Sequence, residues 1–252
     1  MRETLEAVAD GELSVAAAEA RLSGYATTPS GRFDADRERR RGVPEGILGE
    51  GKTPAEVADL AETAVETTGH ALVTRADADV REAVEAAFRS TGATVSADDR
   101  AETISVTGEA FDRPSLAAGV CIVTGGTSDY PVAGEAAAVV EAVGADCRLI
   151  EDVGVANIDR LFDQLEAIRA ADVVIAVAGR EAALPTVVAG QVDCPVIGVP
   201  VSTGYGHGGD GEAALAGLLQ SCTALSVVNV DAGFTAGAQA ALIARGIDAA
   251  ES

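Results

Sequence analysis

The second half of the chain alternates short apolar runs with longer stretches of small and polar residues. The runs are rich in Val and Ile and lack a polar alternation, which is typical of parallel strands buried on both faces. They predict five strands, at Val120–Thr124, Arg148–Ile150, Val173–Ala178, Val196–Pro200 and Ser226–Val230. The stretches between and after them predict helices near residues 131–143, 157–170, 183–190, 211–221 and 235–245. These repeated strand–helix units predict an α/β fold with a flavodoxin-like, doubly wound, five-stranded parallel sheet.

The first part of the chain predicts a smaller α/β domain, so we expect two domains, residues 1–114 and 115–252. Two short amphipathic helices come first, the second over Ser14–Leu22 with a serine N-cap. A helix over Thr53–Thr68 is expected to open with a capping box, because Glu56 follows Thr53 by three positions. The remaining expected elements are a helix over Asp77–Ser90 and strands over Ala71–Thr74, Thr94–Val95 and Thr103–Val106.

Nearly all glycines and reactive side chains of the second domain fall in the segments that follow the predicted strands. Parallel α/β sheets bind ligands beyond the carboxyl ends of their strands, so a site is expected at this edge. The Gly125–Asp129 turn suits a phosphate or ribose, although a routine turn capped by Ser and Asp is the alternative. The candidate substrate-binding residues at this edge are Gly125, Gly126, Thr127, Ser128, Asp129, Arg160, Gly179, Leu184, Pro185, Ser202, Gly204, Tyr205, Gly206 and His207.

Two of these candidates have equally plain structural interpretations. His207 lies in a glycine-flanked loop, where it is either an acid–base group or an exposed loop histidine. Arg160 follows Asp159 near the start of a predicted helix, where it either pairs on the surface or turns toward a phosphate.

Glu181 and Cys222 form the candidate catalytic pair. Glu181 directly follows a buried strand, so we expect its carboxylate to be partly desolvated and able to act as a base at neutral pH. Cys222 follows a predicted helix, whose dipole disfavours a thiolate at that end, so it needs an adjacent base for activation. A buried structural cysteine is the alternative interpretation of Cys222.

A basic, glycine-punctuated segment occupies residues 25–53. Arginines cluster at positions 37 and 39–41, and the segment ends in Lys52-Thr53, which suggests a phosphate cradle; a solvated charged turn is the alternative. Gly46 and Gly51-Lys52-Thr53 satisfy the bare Walker pattern. We predict glycine-punctuated turns here, with no strand before the motif, so a true P-loop is not expected.

Composition restricts the function classes further. The net charge of −22 and the pI near 4.3 argue against nucleic-acid binding. Lys52 is the single lysine against 40 acidic residues, which suits a salt-adapted, cytoplasmic protein. The absence of a long apolar run argues against a membrane span, and two histidines without paired cysteines argue against a protein-bound zinc. Four cysteines without CxxC spacing suggest mostly buried free thiols.

Long motifs in colinear order, over roughly residues 5–245, resemble the LarB family. They are DADRERRRGVPEGILGEGKTPAE, VTGGTSD, DVGVANIDRL, VAGREAALPTVVAGQVDCPVIGVPVSTGYG and LLQSC followed by VVNVDAGFTAG. The second half also resembles aminoimidazole ribonucleotide carboxylase. The chain departs from the LarB pattern at Asp159, where the family usually carries His, and at Gly46 and Ala232.

The LarB resemblance implies a carboxylase and hydrolase that acts on nicotinic acid adenine dinucleotide with CO2 or bicarbonate, in nickel-pincer cofactor synthesis. The products implied are pyridinium-3,5-biscarboxylic acid mononucleotide and AMP. A pyridinium ring and CO2 are both electrophiles, so the chemistry needs a transient nucleophile. The resemblance assigns that role to Cys222, with Glu181 as the base. Asp34, Arg37, Arg40, Lys52 and Thr53 are then expected to bind or enclose the substrate anions.

No tightly bound cofactor is expected, although Mg²⁺ is expected on the substrate pyrophosphate. A homo-oligomer formed through the second domain is expected by analogy. Two other functions stay open, a mutase of the aminoimidazole ribonucleotide type and a non-catalytic nucleotide-binding protein. An aminoimidazole ring is already electron-rich and needs no thiol, so Cys222 favours the pyridinium substrate.

Overall fold

A computed structural model describes residues 1–251, without the side chains of residues 3 and 251. The chain divides between Arg113 and Pro114 into two units, one residue from the domain boundary that the sequence predicts. Each unit has its own main sheet, and each is described by itself below.

The first unit is built from short helices and strands around a four-stranded sheet. Its described helices are α1 (Arg2–Ala9), α2 (Val15–Ser23), α3 (Arg37–Arg41), α4 (Pro54–Thr68) and α5 (Ala78–Phe88). Its described strands are β1 (Ala26–Thr28), β2 (Gly31–Phe33), β3 (Gly46–Leu48), β4 (His70–Thr74), β5 (Thr94–Asp98) and β6 (Thr103–Thr107). The sheet order is β3-β4-β6-β5, with β3 and β4 parallel and the other pairs antiparallel. β1 and β2 form a separate antiparallel pair.

Helix α4 shows why this unit folds where the sequence predicts. The Thr53 hydroxyl accepts the N–H of Glu56, while the Glu56 carboxylate accepts the N–H of Thr53, so the predicted capping box is confirmed. Val57, Ala61 and Ala64 recur at helical spacing and are fully buried. They pack in one core with the buried strand residues of β4 and β6.

The basic segment 25–53 contains more regular structure than predicted. The expectation of turns alone is wrong, because β1, β2, α3 and β3 all lie in it. Phe33 and Ile47 are buried in the core of the unit, but each of these short strands buries only that one residue, too few for a periodic pattern. The residues directly before Gly46 form no strand, as predicted. β3 begins at Gly46, so the first glycine of the bare Walker pattern lies in a strand and not in a phosphate-binding loop.

The second unit is the predicted doubly wound sheet. Its described strands are β7 (Gly119–Thr124), β8 (Asp146–Ile150), β9 (Val173–Ala178), β10 (Val196–Pro200) and β11 (Ser226–Val227). Its described helices are α6 (Tyr130–Val143), α7 (Asp159–Phe162), α8 (Leu165–Arg169), α9 (Ala183–Ala189), α10 (Glu212–Leu219) and α11 (Gly233–Glu251). The sheet order is β11-β10-β9-β7-β8 and every pair is parallel. This confirms the flavodoxin-like order.

Most element boundaries of the second unit lie within two residues of the predictions, but three elements differ more. The helix expected over residues 157–170 is two short helices, α7 and α8, separated where Gln164 takes φ −104° and ψ 0°. β11 has two residues instead of five, because the chain turns away after Val228 donates its N–H to the carbonyl of Gly198. α11 continues to residue 251, beyond the predicted end at 245, since its sequence stays rich in Ala.

The central strands are buried on both faces, as the apolar runs predict. Every residue of β9 is buried. Ile175 packs into the core under α6 and α11, whereas its neighbour Val174 packs into the opposite core with Leu184 and Leu218. Alternate residues of one strand therefore supply two separate cores, which is the packing of a doubly wound sheet.

Helices α6 and α11 approach closely along small residues. A side-chain carbon at Gly237 would lie 2.5 Å from the carbonyl oxygen of Ala136, so the position has no room for one. At the start of α11, the buried carboxylate of Glu135 accepts the backbone N–H of Phe234 at 2.9 Å. The packing of α6 against α11 thus depends on the close approach of their backbones as much as on the burial of apolar side chains.

We expect Gly237→Ala to destabilise the protein by about 1–3 kcal/mol, because the added methyl forces α11 away from α6. Gly246 lies on the same helix with no atom within 4 Å of an added carbon, so it provides the matched control. Gly246→Ala should be neutral or stabilising by up to about 1 kcal/mol through helix propensity. Urea titration of both variants measures the difference, and equal stabilities would contradict the proposed contact.

Burial in the first unit produces a pH-dependent stability. Burial lowers the pKa of His70 to about 4, and its Nε2 lies 3.0 Å from the Ser105 hydroxyl. In the unfolded chain the imidazole of His70 has a pKa near 6.5. The stabilisation that neutral His70 gives to the folded state is therefore fully present above that pH. It is lost as the pH falls toward about 4.

We therefore expect His70→Gln to reduce the fall in unfolding free energy between these two pH values. The difference between wild type and variant should reach about 2–3 kcal/mol in that window. Chemical denaturation at a series of pH values measures it, and the subtraction removes the contribution of the carboxylates. Parallel pH profiles of wild type and variant would contradict the assignment.

Candidate active site

The loops at the carboxyl edge of the second sheet enclose an open cleft of about 460 Å³. They follow β7, β8, β9 and β10, which is where the sequence predicts the site. The lining residues are Gly125, Gly126, Ser128, Asp129, Gly154, Val155, Ala156, Arg160, Ala178, Gly179, Arg180, Glu181, Ala183, Leu184, Thr203, Gly204 and Tyr205.

Asp129 connects two of these loops. Its Oδ2 accepts the N–H of Gly126 at 2.9 Å, and its Oδ1 accepts the hydroxyl of Thr203 at 3.1 Å. Burial raises the pKa of the Asp129 carboxyl above its usual value, although these hydrogen bonds oppose the shift. Both carboxylate oxygens are hydrogen-bonded within the protein. The structure therefore favours the alternative in which Asp129 caps the turn over one in which it contacts the substrate.

Arg160 anchors the loop after β8. Its guanidinium donates to Asp152 at 2.7 Å and to the carbonyl of Gly154 at 3.1 Å. The surface pair expected with Asp159 is replaced by this contact with Asp152. Arg160 nevertheless lines the cleft, so one face of its side chain is open to a ligand.

Glu181 lies in a tight turn beyond the end of β9. Gly179 approaches the loop after β10 so closely that an added side-chain carbon would lie 2.4 Å from the carbonyl oxygen of Thr203. Arg180 and Ala182 then take left-handed φ values of 56° and 49°. The turn carries Glu181 into the cleft lining but leaves it exposed. The expected desolvation of Glu181 is therefore wrong for the single chain, because its turn projects beyond the sheet.

Cys222 is exposed, so the alternative of a buried structural cysteine is wrong. It lies three residues after α10, in a turn held against α9 by the Ser221 hydroxyl, which accepts from Thr186 at 2.9 Å. Thr186 lies in α9, five residues after Glu181 in the sequence. Cys222 does not line the cleft, so in the described chain this cleft contains Glu181 without Cys222.

A smaller pocket of about 240 Å³ adjoins the cleft at the loop after β10. It contains His207, which is exposed, as the alternative interpretation of this residue expects. Tyr205 and Gly204 line both cavities. Four of the substrate-binding residues predicted at this edge of the sheet line neither cavity: Thr127, Pro185, Ser202 and Gly206.

One charged residue of the cleft lining was missed by the sequence predictions. Arg180 lines both cavities, and its guanidinium carbon lies 4.4 Å from the ring centre of Tyr205. The available signal was its position in a glycine-led turn directly after a buried strand, next to Glu181.

The basic segment of the first unit is largely neutralised by its own acids. Arg37 pairs with Glu45 at 2.9 Å, and Arg40 pairs with Asp34 at 2.6 Å. The Lys52 ammonium donates to the carbonyl of Leu48 at 2.7 Å. The Thr53 hydroxyl is used in the cap of α4. The segment is therefore a network of internal pairs, in contrast to the open cationic cradle that we expected.

The buried acid of this network is Asp36. Its hydrogen bond from Arg39, at 2.6 Å, lowers the pKa of the Asp36 carboxyl against the opposing effect of burial. Arg39 and Arg40 line a shallow cavity of about 490 Å³ together with Arg21 and Tyr25. The cavity walls carry both charges, because Asp34 and Asp36 also line it.

The described residues contain no group of three or more His, Cys, Asp or Glu side chains placed to hold a metal ion. The acid deepest in the cleft, Asp129, already has both oxygens engaged. The donor set therefore does not fit a metal held by the protein itself. In the described chain, no helix combines the length and apolar character needed to cross a membrane.

Comparison with known proteins agrees with the division into two units. Residues 119–252 match the AIR carboxylase family, and residues 25–107 match the LarB/PurE-like N-terminal domain. An uncharacterized protein of Methanocaldococcus jannaschii is 38% identical over 219 residues, which are 85% of this chain and 84% of the relative.

Two relatives that carry a functional name cover less of the chain. The N5-carboxyaminoimidazole ribonucleotide mutase of Thermotoga maritima is 39% identical over 93 residues, 36% of this chain and 54% of the mutase. The mutase of the same name from M. jannaschii is 35% identical over 128 residues, 50% of this chain and 75% of the mutase.

The doubly wound sheet and its loop-lined cleft define an AIR carboxylase domain. Since a LarB-type N-terminal domain precedes that domain, the chain belongs to the LarB family, with a PurE-like second half. It is thus a carboxylase-type enzyme of the LarB/PurE group.

The exposure of Cys222 predicts selective thiol chemistry. Burial raises the pKa of Cys121 to about 11 and that of Cys147 to about 12, and it also raises that of Cys194. We expect iodoacetamide near pH 8 to modify Cys222 at least about tenfold faster than the other three thiols. Peptide mass spectrometry over time measures the rates, and Cys222→Ser is the control that should remove the fast phase. Equal rates at all four cysteines would contradict this placement.

Proposed function

We propose that the protein converts nicotinic acid adenine dinucleotide and CO2 or bicarbonate into pyridinium-3,5-biscarboxylic acid mononucleotide and AMP. The observation that carries the proposal is the presence of the LarB-type N-terminal domain before the AIR carboxylase domain. The named mutase relatives align with at most half of this chain, whereas the uncharacterized relative aligns with 85% of it.

The exposed thiol of Cys222 supports this chemistry. In the proposed reaction its thiolate adds to C4 of the pyridinium ring, which forms a C–S bond and moves the ring electrons onto nitrogen. C5 of the resulting dihydropyridine is enamine-like and attacks CO2, forming the new C–C bond. Glu181 removes the C5 proton, the C–S electrons return to sulfur, and aromaticity is restored as the thiolate leaves. Water cleaves the phosphoanhydride to release AMP.

The same chemistry requires Cys222 and Glu181 at one ring, although Cys222 lines neither of the two described cavities that contain Glu181. We propose that the protein forms a homo-oligomer through its second unit and that Cys222 of one copy reaches the cleft of another. Exposed Leu219 and Tyr205, which are 65% and 82% accessible, provide apolar surface near both groups. A mixture of inactive Cys222→Ala and Glu181→Gln subunits would then regain part of the activity.

The proposed hydrolysis involves a pyrophosphate, on which Mg²⁺ neutralises charge when it is bound. The chain offers no acidic cluster of its own among the described residues. Substrate phosphates and water would therefore supply most of the ligands of such an ion, as is common for Mg²⁺.

A second candidate function is a mutase of the aminoimidazole ribonucleotide type. The names of the two relatives that share part of the chain favour it. The two functions differ in their need for a thiol, because the aminoimidazole ring is itself nucleophilic. Cys222 is therefore the residue that separates them.

The test is incubation of the protein with nicotinic acid adenine dinucleotide, bicarbonate and Mg²⁺ in high salt, with AMP and the carboxylated product measured by mass spectrometry. Wild type should form both products. Cys222→Ala should abolish carboxylation, and Glu181→Gln should slow it by about 10²–10⁴-fold through loss of the base. Cys194→Ala, which removes a half-buried thiol, is the matched control and should leave the rate unchanged.

Absence of both products from folded wild-type protein would refute the proposal. Turnover of an aminoimidazole ribonucleotide that survives Cys222→Ala would establish the mutase instead. Size-exclusion chromatography together with the mixed-subunit assay tests the shared site: a monomer, or a mixture without activity, would rule out the contribution of a second copy.

A further inference from the structure

The cleft and the smaller pocket meet at one cationic side chain. The two cavities share Arg180, Glu181, Thr203, Gly204 and Tyr205. Of these five residues Arg180 alone is positively charged. Any elongated ligand that occupies both cavities passes this point, within reach of the guanidinium group.

Arg180 differs from Arg160, the other arginine that lines the cleft. In a chain with 40 acidic residues against 18 basic ones, Arg160 pairs with Asp152. Arg180 has no ion pair or hydrogen bond to a carboxylate within the described residues. Its guanidinium group instead contacts Tyr205, with the guanidinium carbon 4.4 Å from the centre of the ring.

The contact with Tyr205 prepares Arg180 for an anion. Stacking on an aromatic face restrains the planar guanidinium, while its N–H groups point outward from the plane's edge and stay available as donors. A restrained guanidinium loses less rotamer entropy when it binds a carboxylate or phosphate in the bidentate manner.

The backbone also holds Arg180 in this position. Its φ is 56°, a left-handed value that a side-chain-bearing residue adopts rarely, and Ala182 repeats it at 49°. Such backbone outliers are concentrated at functional sites. The close approach of Gly179 to the carbonyl oxygen of Thr203 brings the turn after β9 and the loop after β10 into direct contact beside Arg180.

We propose that Arg180 binds an oxyanion of the nucleotide substrate at the junction of the two cavities, with Tyr205 as its positioning residue. The choice of a pyridine nucleotide as ligand rests on the proposed function. The oxyanion is either a phosphate or the ring carboxylate, since a guanidinium recognises both by the same donor geometry. The arginines of the basic segment, Arg37 and Arg40, are poorer candidates because acids of their own segment already hold them.

The test is isothermal titration of the full-length protein with three ligands. Nicotinic acid mononucleotide carries both oxyanions, nicotinamide mononucleotide carries only the phosphate, and ribose 5-phosphate carries the phosphate without a ring. Arg180→Gln should weaken binding by about 10- to 100-fold, which is the range for a charged hydrogen-bonded contact. Loss with all three ligands assigns the phosphate, and loss with nicotinic acid mononucleotide alone assigns the ring carboxylate.

Matched variants separate recognition from folding. Arg148 is an exposed arginine that lines neither cavity, so Arg148→Gln removes the same charge elsewhere in the unit and should bind like wild type. Tyr205→Phe keeps the ring and should retain affinity, whereas Tyr205→Ala should weaken it by about 3- to 10-fold. The dependence of the dissociation constant on salt should become shallower in Arg180→Gln and stay unchanged in Arg148→Gln.

Two results would overturn the proposal: unchanged affinity of Arg180→Gln for every ligand that wild type binds, or no binding of any of the three ligands by folded wild type. Failure of the proposed function has a different signature. In that case the two nucleotides bind no more tightly than ribose 5-phosphate, while the comparison of Arg180→Gln with Arg148→Gln on ribose 5-phosphate still decides the role of Arg180.

Discussion

The hydrogen bonds of the Asp129 carboxylate determine the shape of the cleft. One oxygen holds the turn after β7 through Gly126, and the other holds the loop after β10 through Thr203. Because β9 lies between β7 and β10 in the sheet, this single side chain reaches across the middle strand. The turn that carries Arg180 and Glu181 packs against Thr203, so its position depends on the same link. A buried acceptor with two partners is costly to disrupt, which makes this side chain the main restraint on the site.

Much of the second unit follows from the sequence because its central strands are buried on both faces. β9 and β10 match the predicted runs residue for residue or nearly so, and every residue in them is buried. The short elements of the first unit could not be predicted in the same way. β2 and β3 each bury one residue, Phe33 and Ile47 respectively. A single apolar position cannot show the alternation of apolar and polar residues that predicts a strand.

The location of the cleft could be predicted from the sequence. The exposure and the partners of the candidate side chains could not. Parallel strands end at one edge, so the loops of the cleft had to meet there. The exposure of Glu181 depends on left-handed φ values at the residues on either side of it, which the letters of the sequence do not reveal. The partners of Arg37 and Arg40 were equally hidden, because many acids were available and only the fold selects Glu45 and Asp34. Cys222 is placed by the hydroxyl contact of Ser221 with Thr186, which links residues 35 positions apart.

The strictly apolar character of β9 has an evolutionary consequence. No residue of this strand offers a reactive group to a ligand, so the strand supports the fold and the chemistry depends on the loops beyond it. Substitutions in those loops can change which ligand is bound at little cost to the buried sheet. A domain of this kind can therefore acquire a new specificity through a few exposed positions, without any change in its core.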